Sequence, residues 1–387
     1  MKDPKIYLAI DNCFGSKRWT EPREWMDTIK DLGVYYVEAS ADTECDPLYM
    51  GDEYMKNWVE KVNTASEETG VKVSNLYSGH GTYATLGLAH TDAGVRKRFL
   101  NDWLKPMVTQ AKLVNAGLGF FCHAFSDSVL QDAGRYAEFK ENLINDLADL
   151  AAYAKSIDCG PVGVEQMYSP HQIPWTVDGA YEMMSEIYKR SKAPFYITID
   201  VGHQSGQRKF PRLSRAEIAE AHSKWLSGDK LPALWLGTIK AFELFENAAE
   251  MTEDVLDSIE TEMDTHEYMF APNKDGDPYE WLEKLGAYSP IVHLQQTNGT
   301  SSGHQPFTKE CNEKGIIKGE KVIEALKKAY AESDDPNMPE KCDEIMLTLE
   351  PFTGTADINR TALSKLRETV EYWRQFIPRD GMRLSEL

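Results

Sequence analysis

The chain has 387 residues and a formal net charge of −20, since 42 Lys and Arg stand against 62 Asp and Glu. This acidic balance disfavours nucleic acid or anionic lipid as a partner, because neutralising phosphates requires clustered Lys and Arg. The apolar runs fall far short of the roughly 20 residues that a membrane-spanning helix needs. The first residues enter a strand-like segment directly, and the six cysteines form no C-x-x-C pair. We therefore expect a cytoplasmic protein with no nucleic acid or membrane partner.

Short apolar runs alternate with longer amphipathic segments along the whole chain. The runs predict eight strands, at residues 5–11, 35–39, 71–77, 117–124, 160–166, 195–201, 291–295 and 345–350. The amphipathic segments predict eight helices, at residues 22–32, 54–69, 95–114, 136–155, 177–191, 279–285, 321–331 and 359–376. Continuously apolar strands are typical of parallel strands buried on both faces. The alternation favours an α/β fold, namely a (β/α)8 TIM barrel that forms a single domain over residues 1–387. The sequence has no G-x-G-x-x-G motif after the first strand, which disfavours the alternative Rossmann fold.

One connection is much longer than the others. Strand six ends near residue 203 and strand seven begins near residue 291, and residues 204–276 carry predicted helices at 215–226 and 251–263. In a barrel, this insertion would leave the C-terminal rim, where active sites lie. A lid and a subunit contact are equally favoured roles for it.

Four predicted strands end in a side chain that can bind a metal. These residues are Glu165, Asp200, His293 and Glu350, on strands five to eight. Any one of them alone is more often a helix cap or an ion-pair partner, but a carboxylate at the end of a buried strand is costly unless it is paired or metal-bound. Three oxygen donors and one nitrogen donor favour a divalent cation such as manganese, magnesium or cobalt.

Further polar residues lie near the same predicted rim. Glycine and hydroxyl side chains dominate residues 297–304, a loop that suits either phosphate binding or an ordinary rim. The residues that we expect to contact a substrate at this rim are His80, His123, His203, Gln295 and His304.

The strand-end motifs resemble those of the xylose-isomerase-like TIM-barrel superfamily, which includes sugar phosphate isomerases and epimerases and the family 2 type of AP endonuclease. The resemblance covers residues 5–375 except the insertion. It rests on Glu165 together with three segments in the expected order, TIDVGH at 198–203, VHLQ at 292–295 and LEPF at 349–352.

This resemblance implies roles for individual residues. Glu165, Asp200, His293 and Glu350 would be the metal ligands, and the two glutamates would double as the catalytic acid and base. His203 would contact substrate oxygens or orient a ligand. Gln295 stands where members commonly have Asp, and the long insertion is also unusual. Both departures from the family pattern concern the substrate rather than the metal site.

The resemblance and the chemistry of the residues together predict an enzyme. We expect a metal-dependent isomerase or epimerase of a small sugar or sugar phosphate, which transfers a proton between carboxylates and a metal-stabilised enediolate. Its cofactor would be manganese, magnesium or cobalt, with zinc as an alternative, and its assembly a homo-oligomer. A dehydratase or lyase that acts next to the carbonyl of an oxidised cyclitol or sugar derivative is the main alternative. An AP endonuclease and a non-enzymatic binding barrel are the weaker ones.

Overall fold

A closed barrel of eight parallel strands forms the centre of the computed structural model, which describes residues 2–15, 18–79 and 84–387. Each strand pairs with the next, and β1 closes the barrel by pairing with both β8 and β2. The predicted TIM barrel is therefore confirmed. The strands are β1 (Lys5–Asp11), β2 (Tyr36–Ser40), β3 (Lys72–Ser78), β4 (Gly117–Phe120), β5 (Val162–Glu165), β6 (Tyr196–Asp200), β7 (Ile291–Leu294) and β8 (Glu344–Leu349).

Helices connect the strands and cover the barrel. None of the helices in the described ranges combines the length and apolar character needed to cross a membrane. A π-helical stretch at Phe99–Leu104 joins α4 to α5. The helices are α1 (Pro22–Asp31), α2 (Ala41–Glu44), α3 (Asp52–Thr69), α4 (Ala93–Arg98), α5 (Lys105–Leu113), α6 (Asp127–Leu130), α7 (Ala133–Ser156), α8 (Val177–Ser191), α9 (Gln204–Gln207), α10 (Arg215–Leu226), α11 (Ile239–Asn247), α12 (Glu253–Thr265), α13 (Pro278–Leu285), α14 (Lys309–Lys314), α15 (Gly319–Ala331) and α16 (Asn359–Trp373).

Helix α7 shows how local sequence produces this outer layer. Asp132 precedes the helix, and its side chain accepts a hydrogen bond from the backbone N–H of Arg135 at 3.0 Å. Such an N-cap satisfies a donor that the first turn leaves open. Leu143, Leu147 and Leu150 recur at spacings of three and four and are fully buried, so one apolar face of the helix packs inward.

The strand order has one addition that the sequence patterns did not predict. A two-residue strand, β9 (Met382–Arg383), pairs antiparallel with Lys5 and Ile6 at the start of β1. β2 reaches β1 only at Ile10 and Asp11. The C-terminal segment therefore pairs with the first residues of β1, which β2 does not reach.

An irregularity in β3 changes the register of its pairing with β2. Val37 pairs with Val73, but the next residue, Glu38, pairs with Asn75. Ser74 is therefore the extra residue of a bulge, and its hydroxyl donates to the carbonyl of Val37 at 3.1 Å. Bulges redirect the side chains that follow them, and this one places Asn75 beside Glu38.

The long connection after β6 begins against the barrel and then extends away from it. In α9, Gln207 donates to the carbonyls of Met167 and Trp175, at 2.8 and 2.9 Å. Beyond it, α10, α11 and α12 form an arm over the α6–α7 side. There the Tyr268 ring stacks on the Tyr136 ring with centroids 3.6 Å apart, and the Tyr268 hydroxyl donates to the carbonyl of Leu130 at 2.7 Å.

The returning end of the arm is anchored through a buried aspartate. Asp275 accepts a hydrogen bond from the backbone N–H of Val177, the first residue of α8, at 3.0 Å. Burial raises the pKa of Asp275 to about 6, although the Val177 N–H and Lys274 oppose the shift. The folded protein therefore holds a proton on Asp275 over a pH range in which the unfolded chain has lost it.

We predict that Asp275→Asn changes the pH dependence of stability. A raised carboxyl pKa contributes stability at low pH that is lost as the pH rises from about 4 through about 6. Relative to wild type, the variant's free energy of unfolding should therefore increase between about pH 5.5 and pH 8, by on the order of 1 kcal/mol. Urea unfolding across this range measures the difference. Asp277→Asn, which changes the exposed N-cap residue of α13, is the control. A stability difference between Asp275→Asn and wild type that stays constant with pH would contradict the prediction.

Candidate functional site

The predicted ligand residues meet at the C-terminal end of the barrel. Glu165 and Asp200 end β5 and β6, His293 lies in β7, and Glu350 directly follows β8. Their exposed fractions are 4, 0, 0 and 5 %, respectively. Because neighbouring parallel strands end at the same edge, residues distant in sequence are brought into one buried group.

The imidazole of His293 is at the centre of this group. Its Nδ1 lies 2.8 Å from Oε1 of Glu165 and 3.5 Å from Oε2 of Glu350. Its Nε2 lies 2.6 Å from Oε1 of Glu38, on the opposite side of the barrel. The hydroxyl of Tyr77 donates to the other oxygen of Glu165, and its ring packs edge-on against His293 with centroids 4.9 Å apart.

Glu350 joins this group to His304. The Nδ1 atom of His304 lies 3.3 Å from Oε2 of Glu350, and its ring stacks on Phe352 with centroids 3.8 Å apart. Oε2 of Glu350 is buried and makes no hydrogen bond of normal geometry within the described part of the chain. One carboxylate oxygen therefore faces the site with its bonding capacity incompletely used.

A hydrogen-bond network fixes Asp200. Its carboxylate accepts from the backbone N–H of Gly202 at 2.6 Å and from Nε2 of Gln295, 2.9 Å from each oxygen. His203 Nε2 lies 3.6 Å from the same carboxylate, and its Nδ1 donates to the carbonyl of Gln166 at 2.8 Å. Oε1 of Gln295 accepts from the backbone N–H of His304 at 2.6 Å, so Gln295 links Asp200 to the loop after β7.

Burial and charge perturb the titration of these groups strongly. Burial, together with Glu38 and Glu350, raises the pKa of Asp11 well above its usual value. Burial also raises the pKa of Glu350, against the effect of His293 and His304. Burial disfavours the charged form of His293, but the surrounding glutamates raise its pKa well above the usual value. Such perturbation by burial and specific charge partners is typical of functional sites.

Asp200 shows the opposite behaviour. Burial works against its ionisation, but His203, His304 and His293 lower its pKa to about 2. Asp200 is therefore the carboxylate that stays ionised across the whole physiological range, and an ionised carboxylate is the form that binds a cation.

The donor set fits a divalent cation. One ligand atom each from Glu165, Asp200 and His293 lies within 4.8 Å of the others, and a second group of the same kind consists of Asp200, His203 and His304. The incompletely bonded Oε2 of Glu350 faces Nδ1 of His293. Carboxylates with one imidazole suit manganese, magnesium or cobalt, and a cation would offset the repulsion between the buried acids.

The remaining predicted substrate residues are in different positions. His203 and Gln295 lie next to the carboxylate of Asp200, and His304 lies next to that of Glu350. His123, after β4, packs against the rings of Phe99 and Phe121, with centroids 4.6 and 5.0 Å away. His80 lies outside the described residues. Substrate contact by any of these five residues stays a prediction.

Several residues of this site were not predicted from the sequence. Asn75 and Tyr77 lie within a strand that was recognised only by its apolar pattern, and Glu38, near the end of the second predicted strand, was assigned no role. A signal for Asn75 and Tyr77 exists at Gly119 in β4. A Cβ at this position would lie 2.9 Å from the Tyr77 ring and 3.0 Å from Nδ2 of Asn75, so this glycine leaves space for the two side chains.

We predict that Gln295→Leu destabilises the fold. Leucine has a similar volume, but it would remove the donor to the buried Asp200 carboxylate and leave the half-buried N–H of His304 without its acceptor. The free energy of unfolding should fall by about 2–4 kcal/mol, as expected for unsatisfied buried polar groups. Urea denaturation measures this loss. Gln305→Leu, an exposed change in the same loop, is the control, and equal stability of the two variants would refute the prediction.

Comparison with solved structures shows the same fold. A protein from Rhodospirillum rubrum ATCC 11170, provisionally assigned as a xylose isomerase, aligns with a TM-score of 0.68 at 17 % identity and covers 96 % of this chain and 99 % of that chain. A D-psicose 3-epimerase from Clostridium cellulolyticum H10, solved with D-tagatose, aligns with a TM-score of 0.53 at 10 % identity and covers 96 % and 99 %, respectively. At these identities the similarity concerns the fold alone.

Sequence comparison adds a relative and a family. The D-erythrulose 1-phosphate 3-epimerase of Brucella abortus (strain 2308) is 33 % identical over 103 residues, which are 27 % of this chain and 30 % of that protein. The match thus spans less than a third of the relative's length. The family model described as xylose isomerase-like TIM barrel matches residues 26–230, just over half of the chain. The chain belongs to the xylose isomerase-like TIM barrel family.

Proposed function

We propose that this protein is a divalent-metal-dependent isomerase or epimerase of a small sugar or sugar phosphate. The observation that carries the proposal is the convergence of two buried glutamates, Glu165 and Glu350, on the same nitrogen of His293. Asp200 completes the set, held in its ionised form by the surrounding histidines and Gly202. Family membership and the partial match to a sugar phosphate epimerase support the same conclusion.

Two carboxylates at one site can move a proton at a carbon next to a carbonyl. One accepts the proton, and the same or the other carboxylate returns it. Return to the same carbon from the opposite face gives an epimer, whereas return to the neighbouring carbon gives an aldose–ketose pair. Since Glu165 comes from β5 and Glu350 from the end of β8, they approach the centre from different strands, as transfer to either face requires.

Neighbouring groups orient Glu165 and perturb the titration of Glu350. Tyr77 donates to Oε2 of Glu165, so Oε1 is the oxygen of that residue that faces His293 and the centre. Burial raises the pKa of Glu350, against the effect of His293 and His304. A raised pKa suits a carboxyl group that takes up and returns a proton near neutral pH.

Glu165, Asp200, His293 and Glu350 would hold the cation. When bound, a divalent cation stabilises negative charge that develops on a carbonyl oxygen next to the reacting carbon. Manganese, magnesium and cobalt all suit this donor set, and zinc is the alternative. The homo-oligomer and the cytoplasmic location expected from the sequence stay predictions.

We predict that the protein exchanges substrate hydrogen with solvent through these glutamates. Metal-loaded protein is incubated in heavy water with free and phosphorylated ketoses of three to six carbons, including tetrulose phosphates because of the match described above. Deuterium should enter carbons next to the carbonyl. Glu165→Gln and Glu350→Gln should each lower the exchange rate by about 10²–10⁴-fold, the range that general acid–base catalysis supplies.

The controls separate proton transfer from loss of metal or fold. Glu344→Gln changes a glutamate at the other end of β8 and should exchange like wild type. Metal content is measured for each variant, because the two glutamates are also proposed ligands. A product that has lost water would indicate the dehydratase alternative. Exchange by both variants at the wild-type rate would rule out the proposed acid–base pair.

We also predict that removing divalent metal lowers both activity and stability. Chelation leaves the buried carboxylates without a compensating cation, so exchange should stop and the melting temperature should fall. Restoring a cation at about 100 times its Kd should recover about 2.7 kcal/mol of stability. Calorimetry with manganese, magnesium, cobalt and zinc in turn measures the recovery. Unchanged exchange and melting after complete chelation would contradict metal dependence.

A further inference from the structure

Three polar side chains from β2 and β3 lie directly behind the proposed metal ligands. Glu38 places Oε1 2.6 Å from Nε2 of His293, and its Oε2 accepts from Nδ2 of Asn75 at 2.6 Å. Tyr77, two residues beyond Asn75 on the same face of β3, donates to Glu165. Glu38 and Asn75 are 0 and 2 % exposed, so these contacts are made away from solvent.

The backbone is shaped to make these contacts. The β3 bulge at Ser74 brings Asn75 opposite Glu38, whereas an unbroken register would have placed Ser74 there. Gly119 of β4 provides space, since a Cβ there would lie 3.0 Å from Nδ2 of Asn75 and 2.9 Å from the Tyr77 ring. A bulge and a glycine each weaken an ordinary strand, which indicates that the position of Asn75 has a specific use.

We propose that Glu38, held by Asn75, is a positioning residue that fixes the tautomer and orientation of His293 for metal binding. This inference rests on the metal site of the proposed function. Glu38 accepts the proton of Nε2, so Nδ1, the nitrogen that faces Glu165 and Glu350, is the one that would give up its proton and bind the cation. Metal-bound histidines commonly donate their second ring N–H to a carboxylate in this way.

The hydrogen bonds made by Glu38 explain why a carboxylate is needed at this position. Two donors point at this side chain, Nδ2–H of Asn75 and Nε2–H of His293, and a carboxylate can accept from both. An amide has one accepting oxygen, so Glu38→Gln leaves one donor facing an NH2 group. If that NH2 faces His293, it favours the tautomer with the proton on Nδ1, which cannot bind the cation.

The test uses Zn²⁺ as a diamagnetic probe on the full-length protein. Affinity is measured by competition with a chromophoric chelator, and the tautomer by long-range ¹H–¹⁵N correlation spectra of ¹⁵N-histidine protein. We expect Zn²⁺ on Nδ1 and a proton on Nε2 of His293 in wild type. Glu38→Gln should bind Zn²⁺ about 10–100-fold more weakly, the usual effect of losing such a partner.

Two further variants separate positioning from a general structural effect. Glu38→Gln combined with Asn75→Asp restores the hydrogen bonds, because the carboxylate at position 75 accepts from the NH2 group at position 38. The amide oxygen at position 38 then accepts from Nε2–H of His293. This double variant should recover most of the lost affinity. Glu44→Gln is the matched control: Glu44 is also buried near the end of β2, but it accepts from Trp58 and Asn12. It should bind Zn²⁺ like wild type.

The outcomes that overturn the inference are distinct from failure of the proposed function. Zn²⁺ binding by Glu38→Gln within twofold of wild type, or an equal loss in Glu44→Gln, would show that Glu38 has no positioning role. Coordination through Nε2 in wild type would also refute it, and that measurement needs no variant to fold. A wild type that binds none of the divalent cations would refute the metal site and this inference together.

Discussion

The whole site depends on how one imidazole is held among buried acids. His293 contacts Glu38 through one ring nitrogen and Glu165 and Glu350 through the other. Carboxylates at this depth are stable only when charge and hydrogen bonds compensate them. A cation beside Nδ1 would supply the missing compensation, because the ring alone offers at most one positive charge. The same ion would thus serve both the chemistry proposed here and the electrostatics of the buried acids.

The two halves of the barrel contribute different parts of the site. Strands β5 to β8 carry the groups that face the centre, and β2 and β3 carry the groups that hold them. Direct contacts such as Glu38 to His293 and Tyr77 to Glu165 cross the barrel between these halves. The proposed ligands are therefore held on strands from both sides, so little reorganisation would accompany the binding of a cation.

The sequence singled out the strand-end residues that meet at the site but not the residues that contact them from β2 and β3, for a physical reason. Glu165, Asp200 and His293 each interrupt or end an apolar strand, so the cost of burying them is visible in a single strand. The role of Asn75 depends on a one-residue shift between β2 and β3, which no periodicity along one strand reveals. Strand β9 was missed for a similar reason, since two residues carry no usable pattern. Of the insertion, α10 and α12 were predicted within about two residues, whereas α11 was not.

Gln295 shows how this chain limits charge around the site. Its amide donates to both oxygens of Asp200 and accepts from the backbone of His304. A carboxylate at this position would face the ionised Asp200 and would need a proton or a second cation beside it. The amide satisfies the same neighbours without added charge. The loop after β7 is therefore linked to Asp200 through a neutral amide, which adds no further negative charge next to the carboxylates around His293.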